Sequence, residues 1–452
     1  MDSQPRQDDR PVNPRRRRRT KSQVFRESYL PFLIIAVAIL AVIGIIIAVA
    51  SGNNDPSHSG APSLDSQAQL EQTAKKLLAK AETLALSYDY DGALKLLNSF
   101  EGDLEDFPKI KEAIESYTIV KKNMVSWKAD QVPNLSFHTL IADLKSALAD
   151  KTYGQSGNNR YNRNFITTTE FSAILQQLYE NDYVLVDLSD LYTYEDHNKE
   201  YVEKELLLPA GKKPILLTQT HCNYYDYMEE SHAFASKLCY GKDGFYNEMV
   251  TSSGSNMTGN YDFVPILESF IQENPGFSYQ GARAVLAFSG YDGILGYRIT
   301  SEDLTSDALS KERDDAKALA QALRDAGYTL ACYTYDNISY STHSAQDIQK
   351  DIQLWQENIA SIIGQTDVLV FAQESDIGTN YKNNEKFNVL YENGYRFFLG
   401  SAPFLSCETG NQYVRHSRLI VSGTTLYHNA KWFEDILDTS ELLDSARGTI
   451  PQ

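Results

Sequence analysis

From residue 132 onwards, short apolar runs alternate with longer amphipathic stretches, and this alternation limits the possible folds more than any other feature. The apolar runs predict strands at 135–137, 183–188, 214–218, 284–288, 329–333 and 368–371. The amphipathic stretches predict helices at 169–181, 262–273, 307–326 and 345–363. Strands that alternate with helices of this length form a parallel sheet, either open or closed into a barrel. We therefore expect an α/β fold whose functional residues directly follow the strands, where ligands bind in this class.

A second feature is an uncharged stretch near the amino terminus. Residues 28–54 carry no charge, and residues 30–50 are all apolar. About 20 such residues span a bilayer as a helix. Five consecutive arginines at 15–19 give the first 27 residues a net charge of +5, which favours a cytoplasmic amino terminus. We expect a single-pass protein of the cell membrane, with the lipid bilayer as a partner and the carboxyl-terminal domain outside. A signal-peptidase site at 48–50 is the alternative, but the apolar run is longer than a usual signal peptide.

The rest of the chain is acidic and rich enough in apolar residues to fold. Its net charge is −23, so we expect no binding of nucleic acid. At 23% charged and 42% hydrophobic residues, disorder as the general state is excluded. Four cysteines are too few for a disulfide scaffold, and no C-x-x-C motif indicates structural zinc. Their pairing stays open; they are Cys222, Cys239, Cys332 and Cys407.

Composition and periodicity divide the chain into five parts. We predict a basic tail at 1–27, a transmembrane helix at 28–51, a flexible linker at 52–66, a helical segment at 67–127 and a barrel domain at 128–452. The helical segment is similar to one tetratricopeptide-like pair followed by a third helix. One such unit cannot bury its apolar face alone. We expect it to pack on the next domain or on another envelope protein.

Several stretches in order resemble the polysaccharide deacetylase family, the carbohydrate esterases with NodB homology, and in particular a membrane-anchored branch. The matching stretches are 132–143, 167–171, 183–191, 214–218, 223–228, 259–262, 293–298, 316–337 and 418–438. Together they cover most of residues 128–440. The resemblance implies a distorted (β/α) barrel of the NodB type.

The resemblance also implies a site, and this sequence departs from it. Family members place a general base and a metal-binding carboxylate side by side after a barrel strand, with two histidines at H-x3-H spacing as further ligands. The metal activates a water, and the base takes its proton. Here the base position holds Thr220 and the metal carboxylate position holds His221, while Tyr333 and Asn337 replace the two histidines. Threonine is no base near neutrality, and tyrosine and asparagine are poor zinc ligands.

These departures lead to three hypotheses. The first is a non-catalytic, membrane-anchored, extracellular deacetylase-like protein that binds a cell-envelope glycan or a protein partner and holds no metal. Its expected substrate-binding residues are Tyr333, Tyr225 and Arg298. The second is an active carbohydrate esterase, an N- or O-deacetylase acting on carbon–nitrogen bonds other than peptide bonds in the N-acetyl case, with a rebuilt zinc site. The third is an assembly protein that uses residues 67–127. The candidate ligands of a rebuilt site are His221, Asp336, Glu374 and Asp376.

Five residues have competing interpretations. His138 and Asp143 match family residues, and we interpret both as structural. Arg298 and Arg418 are interpreted as salt-bridge residues, with an anion clamp as the alternative. Cys222 is interpreted as a small buried residue rather than a nucleophile paired with His138 or His232.

Overall fold

Seven parallel strands close into a barrel in the computed structural model of the chain, which describes residues 64–152, 160–195, 200–410 and 412–450. In chain order the strands are β1 (Asn134–Phe137), β2 (Lys213–Gln219), β3 (Val285–Phe288), β4 (Thr329–Cys332), β5 (Val368–Val370), β6 (Phe397–Ser401) and β7 (Tyr413–Ile420). Each strand pairs in parallel with the next one along the chain. Strand β7 returns to β1, with Leu419 opposite Leu135, and this pairing closes the ring. The predicted choice between an open sheet and a barrel is settled in favour of the barrel.

Alternate residues of the strands pack into two separate apolar clusters, as the two-residue period of a strand requires. Leu286 and Phe288 of β3 belong to a cluster that includes Leu319 and Trp355 from long helices, so this cluster is the layer between the barrel and its helices. Val285 and Ala287 belong to a second cluster, formed mainly by the inward residues of the other strands. The barrel strands are therefore apolar on both faces, which explains why they read as continuous apolar runs.

Helices surround the barrel and connect its strands. The α-helices are Leu64–Leu86, Tyr90–Leu97, Pro108–Lys122, Leu144–Ala149, Arg160–Asn164, Thr168–Glu180, Leu188–Leu191, Asp226–Glu230, Phe263–Glu273, Ser306–Ala326, Ala345–Asn358, Ala360–Ile363, Glu385–Glu392 and Gly423–His428. Short 3-10 turns lie at Ala129–Gln131, Pro275–Phe277, Ala372–Glu374, Ala430–Trp432, Thr439–Glu441 and Ser445–Arg447.

The remaining strands lie outside the ring. Tyr183–Leu185 pairs in parallel with β2, and Cys407–Gly410 pairs antiparallel with β7. The other antiparallel pairs and sheets are Met124–Trp127 with Leu206–Pro209, Tyr192–Glu195 with Glu200–Glu203, and Lys237–Gly241 with Gly244–Val250 and Asn256–Gly259.

The chain from residue 70 onwards forms one compact unit, which includes most of the predicted helical segment. Tyr88 is the main contact: its hydroxyl donates to the Gly276 carbonyl at 2.5 Å, and its ring stacks on Tyr279. The amide of Gln280 donates to the Ser87 carbonyl at 2.9 Å. The turn between the first two helices of the segment thus contacts the barrel domain at Ser87 and Tyr88.

No helix within the described ranges combines the length and apolar character needed to cross a membrane. The predicted transmembrane helix at 28–51 lies outside the described residues, together with the basic tail and most of the linker. The membrane anchor stays a prediction from the sequence.

Candidate functional site

A cavity of about 740 Å³ opens at the carboxyl ends of the barrel strands. This volume lies within the usual range for small-molecule sites. Residues that follow β1, β2, β4, β5, β6 and β7 all contribute to it. The lining residues are His138, Arg160, Tyr161, Arg163, Asn164, Phe165, His221, Tyr227, Tyr333, Gln373, Glu374, Ser401, Ala402, Pro403, Ile420, Ser422, Thr424, Thr425, Asn429 and Trp432.

Left-handed backbone conformations cluster directly after three of these strands. His221 has φ 59°, Thr334 has φ 63°, and Gln373 and Glu374 have φ 53° and 57°. Such values cost of order 1 kcal/mol or more for residues other than glycine, and they concentrate at functional sites. The turns after β2, β4 and β5 are thus held in special geometries that direct His221 and Tyr333 towards the cavity.

Thr220 lies beneath the cavity and pairs with His138. Its hydroxyl is 2.7 Å from Nδ1 of His138 and 3.3 Å from the carbonyl of Phe137. Thr220 has no exposed surface and does not line the cavity. The hydroxyl of Thr220 therefore orients the imidazole of His138.

Tyrosine hydroxyls lie close to both ring nitrogens of His221. Nδ1 lies 3.1 Å from the hydroxyl of Tyr225, and Nε2 lies 3.5 Å from the hydroxyl of Tyr333. The hydroxyl of Tyr225 also lies 3.2 Å from Oγ of Ser289. His138 packs edge-on against the His221 ring, with the two ring centres 4.7 Å apart. The floor of the cavity is a hydrogen-bonded cluster of neutral groups, with the Tyr225 and Tyr333 hydroxyls placed where metal ions would otherwise approach His221.

The electrostatics of this floor keep its side chains uncharged. Burial, assisted by the charge of Arg418, lowers the pKa of His221 to about 4. Burial also lowers the pKa of His138 well below its usual range, with further contributions from His221 and Arg418. Burial raises the pKa of Tyr333 to about 12. At neutral pH the two imidazoles and the phenol are all neutral.

Arg418 is a buried cation inside the barrel. Its Nη1 donates to Oγ of Ser136 at 2.7 Å, and the rest of the guanidinium donates to the carbonyls of Leu399 and Phe371 at 3.2 Å each. Only 1% of the residue is exposed. No carboxylate of the described residues forms an ion pair with it, so its interpretation as a salt-bridge residue is wrong. It contributes positive charge beneath the cavity.

The acids considered for a rebuilt metal site do not converge. Asp376 forms an ion pair with Arg415 at 2.8 Å and accepts from the hydroxyl of Tyr381. Asp336 and Glu374 are exposed. Nowhere in the described ranges do three histidine, cysteine, aspartate or glutamate side chains lie close enough to share a metal ion. The residues present at the cavity floor do not fit the family's metal.

Asn337, the second residue predicted to replace a metal-binding histidine, lies in the loop that follows β4. It has φ 52°, and its carbonyl accepts from the side-chain amide of Gln373 at 3.1 Å. Its side-chain oxygen is buried and has no hydrogen-bond partner.

Several other predicted residues lie elsewhere. Arg298 lies outside this cavity and pairs with Asp226 at 2.7 Å and Glu229 at 3.5 Å, which matches its interpretation as a salt-bridge residue. Asp143 caps the helix Leu144–Ala149 by accepting from Lys145 and Ser146 amides. His232 donates from Nδ1 to the Val250 carbonyl at 3.1 Å and does not pair with a cysteine.

The cysteines are all free thiols. Burial raises the pKa of Cys222 well above its usual range, so this thiol is poorly suited to act as a nucleophile.

Sequence reasoning missed much of the cavity wall, notably Arg163, Phe165, Thr424 and Trp432. A signal existed for Trp432, since it lies in the stretch 418–438 that matches the family. For Arg163 none existed, because the helix Arg160–Asn164 has only five residues and no readable period.

The fold and cavity define a seven-stranded parallel (β/α) barrel with a site lined by aromatic and neutral polar groups. No family model matches the chain, and no curated protein matches it. Among solved structures, the Streptococcus pyogenes deacetylase PplD, in complex with acetate, is a structural neighbour with 11% sequence identity and a TM-score of 0.36. The match covers 70% of this chain and 100% of that chain.

Proposed function

We propose that the chain is a non-catalytic, deacetylase-like protein that binds a cell-envelope glycan in this cavity, outside the membrane to which residues 28–51 anchor it. The observation that carries the proposal is the floor around His221, where tyrosine hydroxyls lie close to both ring nitrogens. A metal ligand needs a free nitrogen lone pair directed at the ion. These contacts therefore disfavour the metal-dependent deacetylation that the family resemblance implies.

Hydrolysis of an acetamide also needs a base for the attacking water. The position of the family base holds a threonine with no exposed surface, Thr220. Burial lowers the pKa values of His138 and His221, so both imidazoles are neutral near pH 7. These features support binding without turnover.

An active esterase is the second candidate, and one observation favours it. The hydroxyl of Thr220 and Nδ1 of His138 are 2.7 Å apart, the spacing of a nucleophile and its base. A nucleophile must reach its substrate, however, and Thr220 lies below the cavity surface. Binding is the function that the geometry supports better.

The walls of the cavity support a carbohydrate ligand. Tyr227 and Trp432 place aromatic surface around it, with the buried rings of Tyr161 and Phe165 behind the wall. Amide and hydroxyl groups lie among them, from Asn164, Ser401, Ser422, Thr425 and Asn429. Sugars present apolar ring faces and a rim of hydroxyls, so they suit a wall that alternates aromatic faces with neutral hydrogen-bonding groups.

Replacing Trp432 by alanine is expected to weaken binding of an acetylated chitooligosaccharide by roughly 3- to 10-fold, the usual effect of one aromatic contact. Isothermal titration calorimetry on the full chain in detergent measures this. Tyr240→Ala is the matched control, since Tyr240 is an aromatic residue with 59% exposure that does not line the cavity. Equal affinities for the wild type and both variants would contradict the proposed site.

Metal content and acetate release together separate the candidate functions. The purified full chain, incubated with zinc and then desalted, is expected to retain substoichiometric metal and to release no acetate from the same oligosaccharide. Acetate release that His221→Ala or Thr220→Ala abolishes, with or without one metal ion per chain, would instead establish an active esterase.

A further inference from the structure

The charged groups around the cavity are predominantly positive. Among the described lining residues, Arg160 and Arg163 are positively charged and Glu374 is negatively charged. Glu374 is exposed to solvent. Arg418 adds a third positive charge beneath the floor. The lining histidines contribute none at neutral pH, because burial lowers their pKa values. Arg163 in the wall and Arg418 beneath the floor thus place positive charge at this cavity of an acidic chain.

Arg163 lines the cavity and forms no ion pair with a described residue. Its Nε is buried inside the wall, with no hydrogen-bond partner and no surface on the cavity. Buried polar groups of folded proteins are nearly always hydrogen-bonded, and an unpaired one costs about 1–3 kcal/mol. A second buried group on the cavity wall, the hydroxyl of Thr424, also has no partner.

The helix that presents Arg163 is held firmly in place. Arg447 donates to the carbonyl of Asn162 at 3.0 Å, to its side-chain oxygen at 2.9 Å, and to the carbonyl of Phe165 at 2.8 Å. The ring of Tyr161 packs against Phe165 and Phe234. Because the backbone on both sides of Arg163 is fixed, its guanidinium is presented to the cavity by a rigid frame, which lowers the entropic cost of binding.

We propose that the glycan bound in this cavity carries a negatively charged group, a carboxylate or a phosphate, and that Arg163 binds this group on the cavity wall. Guanidinium groups bind such anions through two parallel hydrogen bonds. The buried Arg418 adds positive charge beneath the cavity floor. This inference rests on the proposed glycan-binding function and adds the chemical class of the ligand.

The test compares three tetrasaccharides of equal length on the full chain in detergent. The neutral probe is acetylated chitotetraose, the carboxylate probe alternates N-acetylglucosamine with N-acetylmuramic acid, and the phosphate probe is chitotetraose phosphorylated at a 6-hydroxyl. One of the two anionic probes is expected to bind at least about tenfold more tightly than the neutral one. This preference is expected to shrink as ionic strength rises, because salt screens charge–charge attraction.

Arg163→Gln is expected to abolish the preference and leave binding of the neutral probe within about twofold. Lys317→Gln is the matched control, since it removes one positive charge from an exposed position on the helix Ser306–Ala326, away from the cavity lining. The control is expected to retain the full preference.

Each other outcome overturns a defined part of the proposal. Equal binding of neutral and anionic probes overturns the anionic ligand and leaves glycan binding intact. A preference that survives Arg163→Gln overturns the assignment to Arg163. Absence of binding for all three probes overturns the proposed function, and this inference with it.

Discussion

Replacing Arg447 by methionine is expected to destabilise the barrel domain by about 3–5 kcal/mol, the usual cost of leaving one partner of a buried ion pair unpaired. Arg447 and Glu170 form two parallel contacts, Nε to Oε1 at 2.5 Å and Nη2 to Oε2 at 2.6 Å, and both side chains are 1% exposed. The same guanidinium fixes the helix that carries Arg163. The variant should therefore lose both stability and the frame of the cavity wall.

Urea denaturation followed by far-ultraviolet circular dichroism measures this effect. The double variant Arg447→Met, Glu170→Leu is expected to recover part of the loss, because it removes the stranded carboxylate. Recovery should be incomplete, since Glu170 also accepts from the Thr167 amide in a capping box. A cost below about 1 kcal/mol for the single change, the value of a surface ion pair, would show that this contact is unimportant.

The second large effect concerns acid and His221. The His221 pKa of about 4 lies below its unfolded value of about 6.5. A histidine with a lowered folded pKa stabilises the protein fully above pH 6.5, and this contribution is lost as the pH falls towards 4. The difference in unfolding free energy between wild type and His221→Gln should therefore shrink by about 1.4 kcal/mol per pH unit in this window, about 3 kcal/mol in all.

The comparison is made as a difference because other buried groups titrate in the same range. Burial raises the pKa of Asp190 to about 6, and this group acts with the opposite sign. Ser289→Ala is the matched control, since Ser289 is a buried neighbour of Tyr225 that does not titrate. Denaturation at steps between about pH 7 and pH 4 measures both variants. If the difference in unfolding free energy between the wild type and His221→Gln did not change with pH, His221 would not be held neutral by its surroundings.

The elements that the sequence predicted are those with a clear apolar period. The helix predicted at 169–181 is observed at Thr168–Glu180, and the helix predicted at 307–326 at Ser306–Ala326. The helix predicted at 345–363 is observed as two helices that are separated at Ile359. The second of them ends just before Gly364. Strand β7 was not predicted, because two arginines interrupt its apolar residues. Arg415 pairs with Asp376, and Arg418 points into the barrel.

The candidate site was predicted only in part. The turns after β2 and β4 bring His221 and Tyr333 together, with ring centres 5.2 Å apart, as their positions after parallel strands led us to expect. The partners of His221 could not be predicted, because they depend on the left-handed conformation at His221 itself. The importance of Arg163 was equally hidden, because an unpaired charge is a property of the folded surroundings. Arg418 was recognised in the sequence, but its burial without a carboxylate partner could not be predicted.

The most direct test of binding without turnover is mass spectrometry of an acetylated chitotetraose recovered from the full chain after incubation with zinc. The proposed function predicts that the oligosaccharide is retained by the protein and elutes with its mass unchanged. Recovery of an oligosaccharide that has lost acetyl groups, in amounts that fall when His221 is replaced by alanine, would contradict it.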